Sequence, residues 1–166
     1  MAENHRNQEP PLPPRAEHQP LATEYFIDRE TPDSYQPVPG YEGLEQRAFT
    51  IWRGTEGRYG MFSLRAGENF TGTGESPWHT HSSDQMTYCL EGWVVAEYEG
   101  IGVVRLEKGD AVFESRNNRH RQLEVSPDMQ SIQILIPAEM STTWYTWDSA
   151  GGCYQGTTVQ HTDLLP

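Results

Sequence analysis

From Glu45 onward the chain alternates between short runs of β-branched and aromatic residues and clusters of Gly, Pro and charged residues. Residues 47–52, 59–64, 85–90, 94–98, 103–106, 111–114, 119–125 and 131–136 each have the length and make-up of a strand. Between them stand Glu91-Gly92, Glu99-Gly100, Lys108-Gly109-Asp110 and Ser126-Pro127-Asp128, residue types that turns require. No stretch carries a helical apolar stripe capped at both ends, and there is no internal repeat. Many short strands at this spacing predict an all-β sandwich or barrel. Residues 140–147, with Trp144, Tyr145 and Trp147, read as a final strand or a wrap over the barrel.

The flanks differ from the strand region. Residues 1–20 are rich in Pro, Glu, Gln and Asn and cannot bury enough apolar area to offset ordering entropy. They predict a flexible Pro-rich arm, or a segment that orders against a partner subunit. Residues 31–43 read as a connecting loop and 149–166 as a loose C-terminal tail, which leaves 21–148 for the barrel. At 166 residues the chain suits one domain, and 35% hydrophobic residues, with 5 Trp, 8 Tyr and 5 Phe, supply its core.

Charge narrows the partners. A net charge of −12 and a pI near 4.8 argue against nucleic acid, since phosphate binding needs clustered Lys and Arg. No apolar run approaches the roughly 20 residues that cross a bilayer, so no membrane association is expected. The first twenty residues hold no apolar leader, and a cytoplasmic location follows by default. Cys89 and Cys153 are read as free thiols, with Cys89 as core filler. His5, His18 and His161 carry no ligand pattern.

The chemistry concentrates elsewhere. In Trp78-His79-Thr80-His81 the two histidines sit at i and i+2, so an extended backbone aims both at one point. Gln85 opens the next strong strand, and His120 opens a later one. Three histidines within the strand region suit a transition metal, although buried histidines satisfied by the core would look the same in sequence. If His120 faces inward, alternation brings Gln122 and Glu124 with it; if Gln85 does, Thr87 and Cys89 follow. Glu124, with Gln122 beside it, is therefore the catalytic candidate: a carboxylate in an apolar barrel can act as general base. The alternative is a rim residue paired with Arg121. Gln133 faces either the cavity with Ser131, or solvent while Ile132, Ile134 and Ile136 fill the core. Tyr59, Met61 and Ser63 share a face that could line a pocket, Trp78, Trp93, Trp144 and Trp147 suit a core or interface, and Arg53 or Arg65 could meet an anionic substrate.

His79-x-His81-x3-Gln85-x6-Gly92 resembles the first motif of the cupin superfamily, H-x-H-x3-4-E-x6-G. Gly109-Asp110 followed by His120 resembles the second, G-x5-P-x-G-x2-H-x3-N. The resemblance covers about residues 57–137. It implies a cupin jelly-roll (double-stranded β-helix) barrel of the small single-barrel type, here with an extended N-terminal arm. It also implies one divalent transition metal, Mn, Fe, Zn or Ni, on His79, His81, Gln85 and His120. The family's Glu is Gln85 in this chain, its Pro is Ser115, its Gly is Asn117 and its final Asn is Glu124. Asn tolerates positive φ, so that turn can survive. A neutral amide in place of Glu leaves the ion's charge uncancelled, which favours Lewis-acid behaviour and an anionic substrate. The implied function is a metal-dependent enzyme of cyclase, lyase or isomerase type acting on a small carbonyl- or hydroxyl-bearing molecule. The alternatives are an Fe(II)-dependent dioxygenase on an aromatic or diketone substrate and a non-catalytic ligand-binding cupin. Cupins of this size commonly form homodimers.

Overall fold

The computed structural model describes residues 34–160 apart from 42, 49–51, 55–56, 69 and 71, and for 52–54 and 57–59 it describes the backbone. The 1–20 arm, the side chains of Arg53 and Tyr59, and His5, His18 and His161 lie outside the described residues. Among the described residues there is no α-helix, only strands joined by turns. One sheet runs β1 (Gln36–Pro37), β2 (Leu44–Ala48), β4 (Gly57–Ala66), β11 (Gln130–Ile136), β6 (Asp84–Glu91), β9 (Ala111–Glu114), with β3 (Trp52–Gly54) paired to β4. The other runs β13 (Cys153–Gln160), β12 (Ser141–Asp148), β5 (Trp78–His81), β10 (His120–Val125), β7 (Trp93–Tyr98), β8 (Gly102–Glu107). Pairing is antiparallel throughout. The two inner faces enclose one cavity, as in a jelly-roll barrel.

Alternation decides which side chains enter. On β6, Gln85, Thr87 and Cys89 are buried while Met86 and Tyr88 are exposed. On β11, Ser131 and Gln133 line the cavity and Ile136 is exposed, so the cavity-facing alternative holds for Gln133. The inner face of β4 carries Leu64, not the Met61 and Ser63 face expected from sequence; Ser63 accepts a hydrogen bond from Tyr35 instead. On the outer side, Phe113, Met86, Ile134 and Met61 form one row across four strands.

Three elements depart from the sequence expectation. The stretch 47–52 is split between β2 and β3. The tail read at 149–166 contains β13, paired with β12 along its whole length although every residue of it is exposed. The loop read at 31–43 closes one end of the barrel: Val38 N–H donates to Leu44 O, and Val38 and Tyr41 pack on the cluster of Leu44, Val125 and Met129. Gly40, at φ 85°, makes this roof possible, because a Cβ there would lie 2.6 Å from the Trp144 ring.

Candidate metal centre

His79 and His120 are directly opposed in the β5–β10 ladder, and His81 stands two residues along β5. The ligand-capable atoms of these three imidazoles lie within 4.8 Å of one another. The second motif's turn holds them in register. Asn117 takes φ 63°, as its place in the motif demands, and its N–H donates to His81 O at 2.8 Å. Arg116 clamps the same turn to the start of β6 through its backbone N–H and guanidinium on Asp84.

The outer nitrogens define the tautomers. His79 Nδ1 donates to Pro77 O at 2.8 Å, and His120 Nδ1 to Asn118 O at 3.0 Å. A carbonyl only accepts, so both rings carry hydrogen on Nδ1 and keep the Nε2 lone pair for the cavity side. His81 Nδ1 pairs with Thr142 Oγ1 at 3.0 Å. Metal-ligating histidines are anchored in this way, by an outer partner that orients the ring. Burial first, and then the neighbouring His120, push the His79 pKa down to about 3. It is therefore neutral near pH 7, the form that ligates.

Gln85 sits beside this cluster with a partner that the sequence did not announce. Its Nε2 donates to Glu114 Oε2 at 2.9 Å and to Thr87 Oγ1 at 3.2 Å. A carboxylate accepts hydrogen bonds, so the NH2 branch must be the one turned to Glu114, leaving Oε1 as the branch a cation could use. Glu114 is 7% exposed, and its other oxygen accepts a short hydrogen bond from the Tyr98 hydroxyl. Tyr98 in turn stacks on His120 at 5.5 Å. Burial, followed by the Glu114 charge, raises both Tyr98 and Tyr41 above the ordinary phenol range, so both stay protonated. The negative charge that the family's Glu would place on an ion is thus present one hydrogen bond further out.

Glu124 does not enter the cavity. β10 pairs Gln122 with Ala96 and Glu124 with Val95, so Leu123 is an extra residue, a bulge. Past it the faces exchange: Glu124 is exposed and Val125 joins the core. Its catalytic role as an interior base is overturned. Gln122, ahead of the bulge, does line the cavity, with its Nε2 on Gly74 O at 2.6 Å. Trp144 lines it as well, and so does Tyr41, whose hydroxyl donates to His79 Nε2 at 2.8 Å. Tyr41 went unnoticed in sequence because a Pro/Gly stretch reads as a connection; the aromatic within it was the available signal. Much of the remaining wall is apolar, with Leu64, Val94, Leu106, Val112 and Met129, and no lining residue is Lys or Arg. Arg65 is engaged outside, on Glu45 at 2.9 Å and over the Tyr35 ring.

The donor set of three neutral imidazoles and an amide oxygen fits a divalent transition ion. Comparison with known proteins agrees in fold. No curated protein matches the chain in sequence. A family model described as "Cupin domain" matches residues 69–126, which span His79 to His120. Among solved structures, an RmlC-like cupin protein from Ralstonia eutropha is similar at 17% identity, over 76% of this chain and 73% of that one, with a TM-score of 0.52. The polyketide cyclase RemF from Streptomyces resistomycificus is similar at 16% identity, over 66% and 79%, with a TM-score of 0.51. A protein from Photorhabdus luminescens reaches 15% identity, 68% and 88% coverage and a TM-score of 0.51. Two motifs at family spacing, a jelly-roll of two antiparallel sheets and histidines converging inside it lead to one assignment: residues 69–126 match a cupin domain, and the barrel around them has the cupin fold.

Proposed function

We propose that this protein is a metal-dependent enzyme acting on a small carbonyl- or hydroxyl-bearing molecule by Lewis-acid and proton-transfer chemistry of cyclase, lyase or isomerase type. The observation that carries this reading is the convergence of three imidazoles, with ligand-capable atoms within 4.8 Å of one another and rings anchored through Nδ1. His79, His81 and His120 through Nε2, and Gln85 through Oε1, would hold the ion, drawn from Mn, Fe, Ni and Zn. Bound there, it would polarise a substrate oxygen.

The chain's own groups handle the protons. Glu114 is the interior carboxylate, and it takes the general-base role. Tyr98, which stays protonated, stabilises its charge through the hydrogen bond they share. One lone pair serves one partner, so a His79 that ligates releases the Tyr41 hydroxyl, which then donates to a substrate oxygen gaining charge. Apolar walls from both sheets exclude water and strengthen each of these interactions.

The test is elemental analysis of protein purified without chelator or His-tag, joined to NMR of small ketones in D2O without oxygen. About one divalent ion per chain and deuterium uptake beside the carbonyl that chelation abolishes would support the reading. No ion, or uptake equal to that of chelated protein, would refute it. Iron with oxygen consumption and no anaerobic exchange would assign the dioxygenase reaction instead.

A further inference from the structure

One buried group inside the barrel has no use in the chemistry above. Gln46 stands on the inner face of β2, two residues from the core residue Leu44, and lines the same cavity as His81 and Gln85. Its Nε2 is closed off from solvent, and among the described residues it is the one buried side-chain nitrogen or oxygen without a hydrogen-bond partner. The contrast with its neighbours is sharp: Gln85 Nε2 has two acceptors, and Gln122 Nε2 has Gly74 O. A buried unpaired donor weakens the folded state, and such groups persist where something other than the fold uses them.

Ladder register places this donor at the far end of the cavity from the histidines. Gln46 pairs with Leu64, Leu64 with Ser131, and Ser131 with Cys89, four residues along β6 from Gln85. At the usual rise that is roughly 13 Å along the sheet. Apolar side chains, Leu64, Val94 and Met129 among them, lie around the space between. An amide NH2 only donates, so its partner must be an acceptor. With Glu114 inside and no Lys or Arg in the lining, that acceptor is uncharged.

We infer that the cavity takes a small uncharged molecule with two oxygen functions, one at the histidine cluster and a second, carbonyl-type oxygen accepting from Gln46 Nε2. The first contact rests on the metal reading given above; the second stands on Gln46 alone. Gln46 is then a specificity residue that selects doubly oxygenated molecules over singly oxygenated ones of the same shape.

The probes are unbranched diketones from 2,5-hexanedione to 2,9-decanedione. Each is compared with the monoketone in which the far C=O is replaced by CH–CH3. Calorimetric titration of the full chain, with and without added zinc, reads both affinities. At one chain length the diketone is expected to bind roughly tenfold tighter, and the ratio falls to about one in Gln46→Leu with the monoketone unaffected. Absence of a preference at every length, no binding by any pair, or a preference that survives Gln46→Leu would overturn the inference. Failure of the metal reading looks different: zinc does not bind, yet the Gln46-dependent preference remains in the metal-free chain. The melting temperature of ligand-free protein gives a second readout, with Gln46→Met as a further variant. Removing an unpaired donor raises it by roughly 2–4 °C, whereas a fall would mean that the amide is satisfied within the fold and would equally sink the inference.

Discussion

The two ends of the cavity are built on opposite terms. At the histidine end the rings and the groups that brace them have partners: Pro77, Asn118 and Thr142 for the rings, Glu114 and Thr87 for Gln85, Tyr98 for Glu114. At the other end Gln46 Nε2 has none. A saturated network fixes its atoms before any substrate arrives, which is what a site for charge development needs. An unsaturated donor does the reverse, leaving an interaction for the ligand to complete. The barrel thus separates positioning from recognition along its axis.

The largest effect is expected at the saturated end. His120→Ala removes one of three converging nitrogens and should abolish metal binding; wild-type metal content in this variant would break the comparison at once. Glu114→Ala leaves one N–H of the Gln85 amide and the Tyr98 hydroxyl unpaired in the interior, a loss of about 3 kcal/mol. It should also weaken metal affinity by about 10- to 100-fold, by freeing the amide to rotate. Chelator competition and urea unfolding measure the two effects.

Next comes pH. His79 has a folded-state pKa of about 3 against an ordinary 6.5, so the unfolded chain binds the proton first on acidification. Its contribution is fully present above pH 6.5 and is lost as pH falls toward 3, at about 1.4 kcal/mol per pH unit. Urea unfolding of metal-free protein should therefore show about 2 kcal/mol less stability at pH 5 than at pH 7. A flat profile would mean that the ring is charged or open to water. Gln85→Glu should tilt the trend the other way, since it sets a second carboxylate against Glu114. One of the pair then has a raised pKa, and that stability is lost as pH rises.

The smallest effect is also the most direct comparison. Gln122→Leu strands Gly74 O and should cost about 1 kcal/mol, while the same change at Gln46 should stabilise by a similar amount. Equal signs would erase the distinction between the two ends.

How far the sequence discloses all this depends on whether a feature is local. The histidine pair is set by two-residue periodicity, and the positive φ of Asn117 follows from its place in the second motif. Glu114 is another matter. Alternation with an apolar neighbour argues for Phe113 inside and Glu114 outside, yet Phe113 is 62% exposed and Glu114 is buried. Only the β6–β9 register, Gln85 opposite Glu114, decides it, and that pairing is remote in sequence. Tyr41 and Gln46 are hidden for a related reason, since a loop or strand at a barrel end gains its inward face from elements far along the chain. Glu124 fails by a single residue, because no periodicity argument foresees a bulge.

That single residue has a wider consequence for anyone rebuilding this barrel. Leu123 shifts the phase of β10, so the rule relating position to face inverts halfway along the strand. Shortening the strand by that one residue would leave the carboxylate at 124 outside and the valine behind it inside, because Gln122, Glu124 and Val125 already face the consecutive residues Ala96, Val95 and Val94; the interior lining is therefore expected to survive the loss.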